Sequence, residues 1–180
     1  MLPTNWIRLG IAAAVTTACG IGAYFAMKTE EEEQKQEKEK WVINIHRLCE
    51  MICYKNNKII LNKISKIDIK NLYKTDNITD FINEMYKLFY ENMAKNKTFP
   101  KQVNKDNDDF MKYLYAVRNI IVHSENSAYK YVKQNYILLC KQLQIPLCDY
   151  KELNDDDRLK IKNYFIQGLD RYLSRVALEL

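Results

Sequence analysis

The stretch Asp109-Phe110-Met111-Lys112-Tyr113-Leu114-Tyr115-Ala116-Val117-Arg118-Asn119-Ile120-Ile121-Val122-His123 decides the fold class. Phe110, Leu114, Val117 and Ile121 recur at helical spacing, which puts them on one face of an α-helix. The run Asp106-Asn107-Asp108-Asp109 stands at the start, where the positive end of the helix dipole favours carboxylates. The polar stretch Ser124-Glu125-Asn126-Ser127 then breaks the pattern, so the helix is expected to end near His123.

The same period recurs on both sides. Val42, Ile45, Cys49 and Ile52 form an upstream stripe, followed by a weaker one at Ile60, Ile64 and Ile67. Lys66-Ile67-Asp68-Ile69-Lys70 alternates and is expected to be a short extended piece. Phe81, Met85, Leu88, Phe89 and Met93 mark another helix, with Asn77 or Thr79 as its cap. Lys95 to Lys105, containing Pro100, reads as a polar loop. Downstream, Val132, Tyr136, Leu139, Cys140 and Leu143 form a helix that ends before Pro146. Asn154 caps a last helix bearing Leu159, Ile166, Leu169, Leu173 and Val176. The expected fold is all-α: a bundle of about five or six helices over 41–180, preceded by one N-terminal transmembrane helix.

Composition agrees with helices. Four Gly and three Pro in 180 residues exclude collagen-like and turn-dense β architectures. A hydrophobic fraction of 47% excludes global disorder. There is no Gly-rich phosphate loop, nucleophile elbow or paired-His metal motif. Lys outnumbers Arg 22 to 6, with 17 Asn and 13 Tyr but only two His. That bias fits AT-rich coding, and it makes any pattern of Arg and His more informative. Cys49 and Cys53 share a helix face but lack further metal ligands nearby, so ordinary reduced thiols are the reading. No metal and no cofactor is expected.

The first forty residues differ from the rest. Leu9 to Met27 is 19 residues without a charge. As a helix it would reach roughly 28 Å, enough for a bilayer core. Gly10, Ala14, Ala18, Gly22 and Ala26 recur every four residues, a stripe that lets two helices approach closely. Residues 1–27 are therefore read as a membrane anchor, with a lipoprotein signal peptide as the weaker alternative. Residues 28–40 are nearly all Glu, Lys and Gln and are read as a charged helical stalk. Lys28, Lys35, Lys38 and Lys40 outnumber Arg8, which favours a cytoplasmic C-terminal domain.

One constellation can carry chemistry: Arg118-Asn119-Ile120-Ile121-Val122-His123. This string resembles the R-x4-6-H motif of HEPN domains, in which the position after Arg is often Asn. The resemblance covers the all-helical architecture of 41–180 but only six residues in sequence. It implies a metal-independent endoribonuclease acting as a homodimer, in which two motifs meet across an interface, with a role in stress or antiviral defence. It departs from the family's toxin members, which carry Tyr two residues after the His, where this chain has Glu125.

Residue chemistry fits RNA cleavage by 2′-hydroxyl attack. Histidine is the side-chain type suited to general acid/base work near neutral pH, which assigns that role to His123, and Arg118 can clamp a phosphate with two parallel donors. Asn119 can orient either. On an unbroken helix, however, Arg118 and His123 lie roughly 140° apart, so a shared site needs a distorted helix or a second copy. Residues 41–180 carry 23 basic and 17 acidic residues, which permits RNA binding. Tyr113, Tyr115, Tyr129 and Tyr131 flank the motif, and Tyr115, Tyr129 and Lys130 are the expected RNA contacts. The alternative is a non-catalytic single-pass adaptor that binds protein or RNA. In that case Arg118 pairs with Asp108 or Glu125, and His123 closes a helix C-terminus.

Overall fold

The computed structural model describes residues 32, 33, 35–56, 61, 64–92, 107–127 and 129–180. The chain divides into two compact units, Met1–Lys40 and Trp41–Leu180. In the first, the described residues 32, 33 and 35–40 are helical. The expected anchor, 9–27, lies outside the described residues. Among the described residues, no helix is long and apolar enough to cross a membrane.

The second unit is all-helical among its described residues. Helix α1 occupies 41–55, α2 Lys66–Lys74 and α3 Ile78–Met85, which continues into a π-helical turn, Tyr86–Glu91. Then come α4, Asp109–Ser127, and α5, Lys130–Leu143. A 3-10 turn, Tyr150–Glu152, leads into α6, Asp155–Glu179. Helix α4 is the hub, touching α3, the π-helical turn, α5, the 3-10 turn and α6. Its buried face carries Phe110, Leu114, Val117 and Ile120.

Local chemistry explains the ends. Asn77 caps α3 by accepting the Thr79 and Asp80 backbone N–H groups, and Asn154 caps α6 by accepting that of Asp157. Helix α5 ends on Gln144 in the left-handed region (φ 54°), whose N–H closes back on the last turn. Helix α1 is fixed to α6 by polar bonds: Trp41 Nε1 to the Ile166 carbonyl (3.1 Å), Asn44 to Asp170, and Lys55 Nζ to the Ala177 carbonyl (2.6 Å). At the α4–α6 crossing, Gly168 lies against the Phe110 ring, which stacks on Tyr172 (5.2 Å) and meets Phe165 edge-on (5.6 Å).

Four expectations are corrected. Residues 66–70 are helical, because Ser65 and Asp68 form a reciprocal capping box that overrides the alternation. Ile67 is exposed, and the buried positions there are Ile64, Ile69 and Leu72. Leu159 is exposed, and the buried stripe of α6 runs through Ile161, Phe165, Leu169, Tyr172, Leu173 and Val176. Helix α4 does not stop at His123 but runs to Ser127, and the stretch after His123 holds no Gly or Pro to force an earlier stop.

Candidate nucleic-acid interface

Helix α4 carries the three motif residues. Arg118 and Asn119 are half-buried and His123 is exposed. The helix is unbroken from Asp109 to Ser127, so Arg118 and His123 keep their separation of roughly 140° around its axis. The distortion that would join them within one chain is not present, which leaves a second copy as the route to a shared site. His123 also lies inside the helix, so it does not close a C-terminus.

Arg118 turns toward the π-helical turn. Its guanidinium carbon lies 5.0 Å from the centre of the Tyr86 ring, a cation–π contact. Burial pushes the Tyr86 hydroxyl above the ordinary phenol range, and the Arg118 charge opposes that rise. The ion pair with Asp108 is not formed, because Asp108 is held by Arg175 at 2.6 Å on the α4–α6 side. The other suggested partner, Glu125, has its side chain outside the described set. Among the described residues no carboxylate pairs with Arg118. Asn119 donates its Nδ2 to the Tyr115 carbonyl one turn back (2.8 Å). That ties the amide to its own helix and leaves Oδ1 as its acceptor, on the face that His123 also occupies.

Tyrosines from three elements gather beside Arg118. Tyr86 stacks on Tyr90 within the π-helical turn (4.7 Å, 14°). Tyr90 meets Tyr115 of α4 (5.3 Å), which is near-parallel to Tyr131 of α5 (6.0 Å, 14°). Tyr131 in turn is near-parallel to Tyr129 (6.1 Å, 13°). The Tyr131 hydroxyl donates to that of Tyr115 (3.0 Å). This bond, with burial second, pushes the Tyr131 phenol up to about 12. The row runs from the half-buried Tyr86 outward to Tyr129, which is 74% exposed.

Of the expected RNA contacts, Tyr115 and Tyr129 belong to this row, and Lys130 is exposed beside Tyr129. Helix α5 holds Lys130, Lys133 and Lys141 and no carboxylate. Tyr113 faces the core instead, against Tyr164 (6.1 Å). Sequence reasoning missed Tyr86 and Tyr90. Their i,i+4 spacing was the available signal, but the apolar residues around them drew the helix reading. Among the described residues Cys49, Cys53, Cys140 and Cys148 form no disulfide, and burial pushes Cys49 up to about 12. No protein-family model matches the chain, and neither the curated proteins nor the solved structures contain a match to it.

Proposed function

We propose that the chain is a membrane-anchored, HEPN-like endoribonuclease that acts as a dimer and cleaves single-stranded RNA without a metal ion. The observation that carries this reading is Arg118. It shares one unbroken helix with His123, has no carboxylate partner among the described residues, and rests on Tyr86 at the inner end of a tyrosine row. A guanidinium in that setting suits a phosphate, and the rings beside it suit unstacked bases.

The chemistry is transesterification. The His123 ring of one copy takes the proton from the 2′-hydroxyl, whose oxygen attacks phosphorus. The bond from phosphorus to the 5′ oxygen breaks, and that oxygen takes a proton from water. The products are a 2′,3′-cyclic phosphate and a 5′-hydroxyl. Arg118 of the other copy donates two N–H groups to the phosphoryl oxygens as charge builds there. Asn119, tied back on Tyr115, presents Oδ1 to orient the His123 ring. The uncharged stretch 9–27 supplies the anchor, and two tethered copies meet at raised effective concentration. The lysines after it favour a cytoplasmic catalytic domain, and the family resemblance suggests stress or antiviral defence.

The test is RNA cleavage by the full-length chain in detergent with EDTA present, beside His123→Ala and Arg118→Ala. Cyclic-phosphate products from the wild type alone are expected. Equal cleavage by all three, or none by a folded wild type, removes the enzyme reading and leaves the adaptor.

A further inference from the structure

We infer that the groove beside the tyrosine row is a pocket for one unpaired base of single-stranded RNA. The inference rests on the RNA reading above, but not on cleavage. The groove has a volume of about 470 Å³ and lies where the π-helical turn, α4 and α5 meet. That size is within the range of sites for small ligands.

Three kinds of side chain line it, suited to the face of a base, to its polar edge and to a phosphate. Tyr90, Tyr115 and Tyr131 line it with aromatic rings, and Leu138 of α5 adds an apolar wall one turn below Gln134. Gln134 and Asn135 offer amides. Among the described residues neither amide has a protein hydrogen-bond partner, so both can donate to and accept from the edge of a base. Lys112 supplies a cation. It is paired with Asp109 at 3.2 Å, but that carboxylate is mostly exposed, so the pair is weak and a phosphate can displace it. Tyr115 belongs both to the groove and to the row that reaches Arg118, so a strand can lay one base in the groove and its phosphate near Arg118. Bases in a duplex are already stacked and cannot enter.

Binding is measured by fluorescence anisotropy on the full-length chain in detergent, in a His123→Ala background so that the probe survives. The probe is a labelled single strand of about twelve nucleotides, beside the same sequence as a duplex and mononucleotides as competitors. Leu138→Trp, which fills the groove from an exposed position, and Tyr131→Ala are expected to weaken single-strand binding about tenfold. Tyr131→Phe, which keeps the ring, is expected to change it by less than about twofold. Weak competition by mononucleotides places the base on a strand. The proposal is overturned if Leu138→Trp binds like its parent, if the duplex binds equally well, if a mononucleotide binds as tightly as the strand, or if no strand binds. Cleavage by the chain with His123 intact is scored separately. Binding as described without cleavage keeps the groove and removes the enzyme. Cleavage with binding indifferent to Leu138→Trp does the reverse.

Discussion

The Arg118 guanidinium rests 5.0 Å from the centre of the Tyr86 ring, across the seam between α4 and the π-helical turn. The ring holds the cation by its face, which fixes the fork without neutralising it. Removing the ring leaves Arg118 charged but less confined. Tyr86→Ala is therefore expected to slow RNA cleavage about three- to tenfold, while Tyr86→Phe stays near wild type. Arg118→Lys keeps the charge but loses the paired donors, and is expected to lose more than about tenfold. Initial rates at saturating RNA separate these outcomes, and wild-type rates for Arg118→Lys would contradict the clamp.

Gly168 leaves room on α6 for the Phe110 ring of α4. A Cβ there would meet the Phe110 ring at 2.8 Å. That ring is wedged between Tyr172 and Phe165 and has little room to yield. Alanine usually favours a helix over glycine by about 1 kcal/mol, but overpacking a core costs roughly 1–3 kcal/mol. Gly168→Ala is expected to lower unfolding stability by about 1 kcal/mol net. Urea denaturation checks this, and a stabilised variant would show that the crossing relaxes freely.

Asp108 caps α4 and pairs with Arg175. Its Oδ1 accepts the Phe110 N–H at 2.9 Å, and Oδ2 lies 2.6 Å from Arg175 in an electrostatic contact outside hydrogen-bond geometry. Asp108→Ala is expected to cost about 1–2 kcal/mol through the lost cap. Burial raises the Asp108 carboxyl above the usual range, and the Arg175 charge opposes that rise. Without Arg175 the carboxyl rises further. A raised carboxyl favours the fold while protonated, and that advantage is lost as pH climbs through its folded value. Arg175→Ala is therefore expected to be nearly neutral at about pH 4 and destabilising at about pH 7. Equal losses at both would contradict the pairing.

Alkaline pH acts on the same core. Burial pushes Cys49 and Tyr164 up to about 12, and the bond to Tyr115 does the same for Tyr131. Burial raises Tyr136 and Tyr172 as well. Above the ordinary phenol value of about 10 the unfolded chain has shed these protons while the folded chain keeps them. Their contribution is intact below that pH and is lost as pH rises toward the folded values. Stability from urea melts is expected to hold to about pH 9 and then fall steadily. A flat profile to about pH 11 would contradict the buried phenols.

The helices of 41–180 were legible wherever a stripe and a local cap coincided, as at Asn77 and Asn154, because both signals lie within a few residues. At Ser65 the alternation around Ile67 and Ile69 competes with the capping box and masks it. The end of α4 is not legible, because polar residues after His123 resemble a stop yet continue the helix to Ser127. The motif residues were legible as types at a spacing. Their surroundings were not: Tyr86 and Tyr90 reach Tyr115 only through packing of the π-helical turn on α4, which no local pattern encodes. The same holds for Asp108, whose partner Arg175 lies on another helix.

In the proposed mechanism Arg118 of one copy works with His123 of another. Arg118→Ala and His123→Ala chains with different tags, co-expressed and purified as the heterodimer, test it most directly. Such a dimer carries one intact composite site of two, so about half of wild-type cleavage is expected although each homodimer is silent. A heterodimer as silent as its parents would contradict the account.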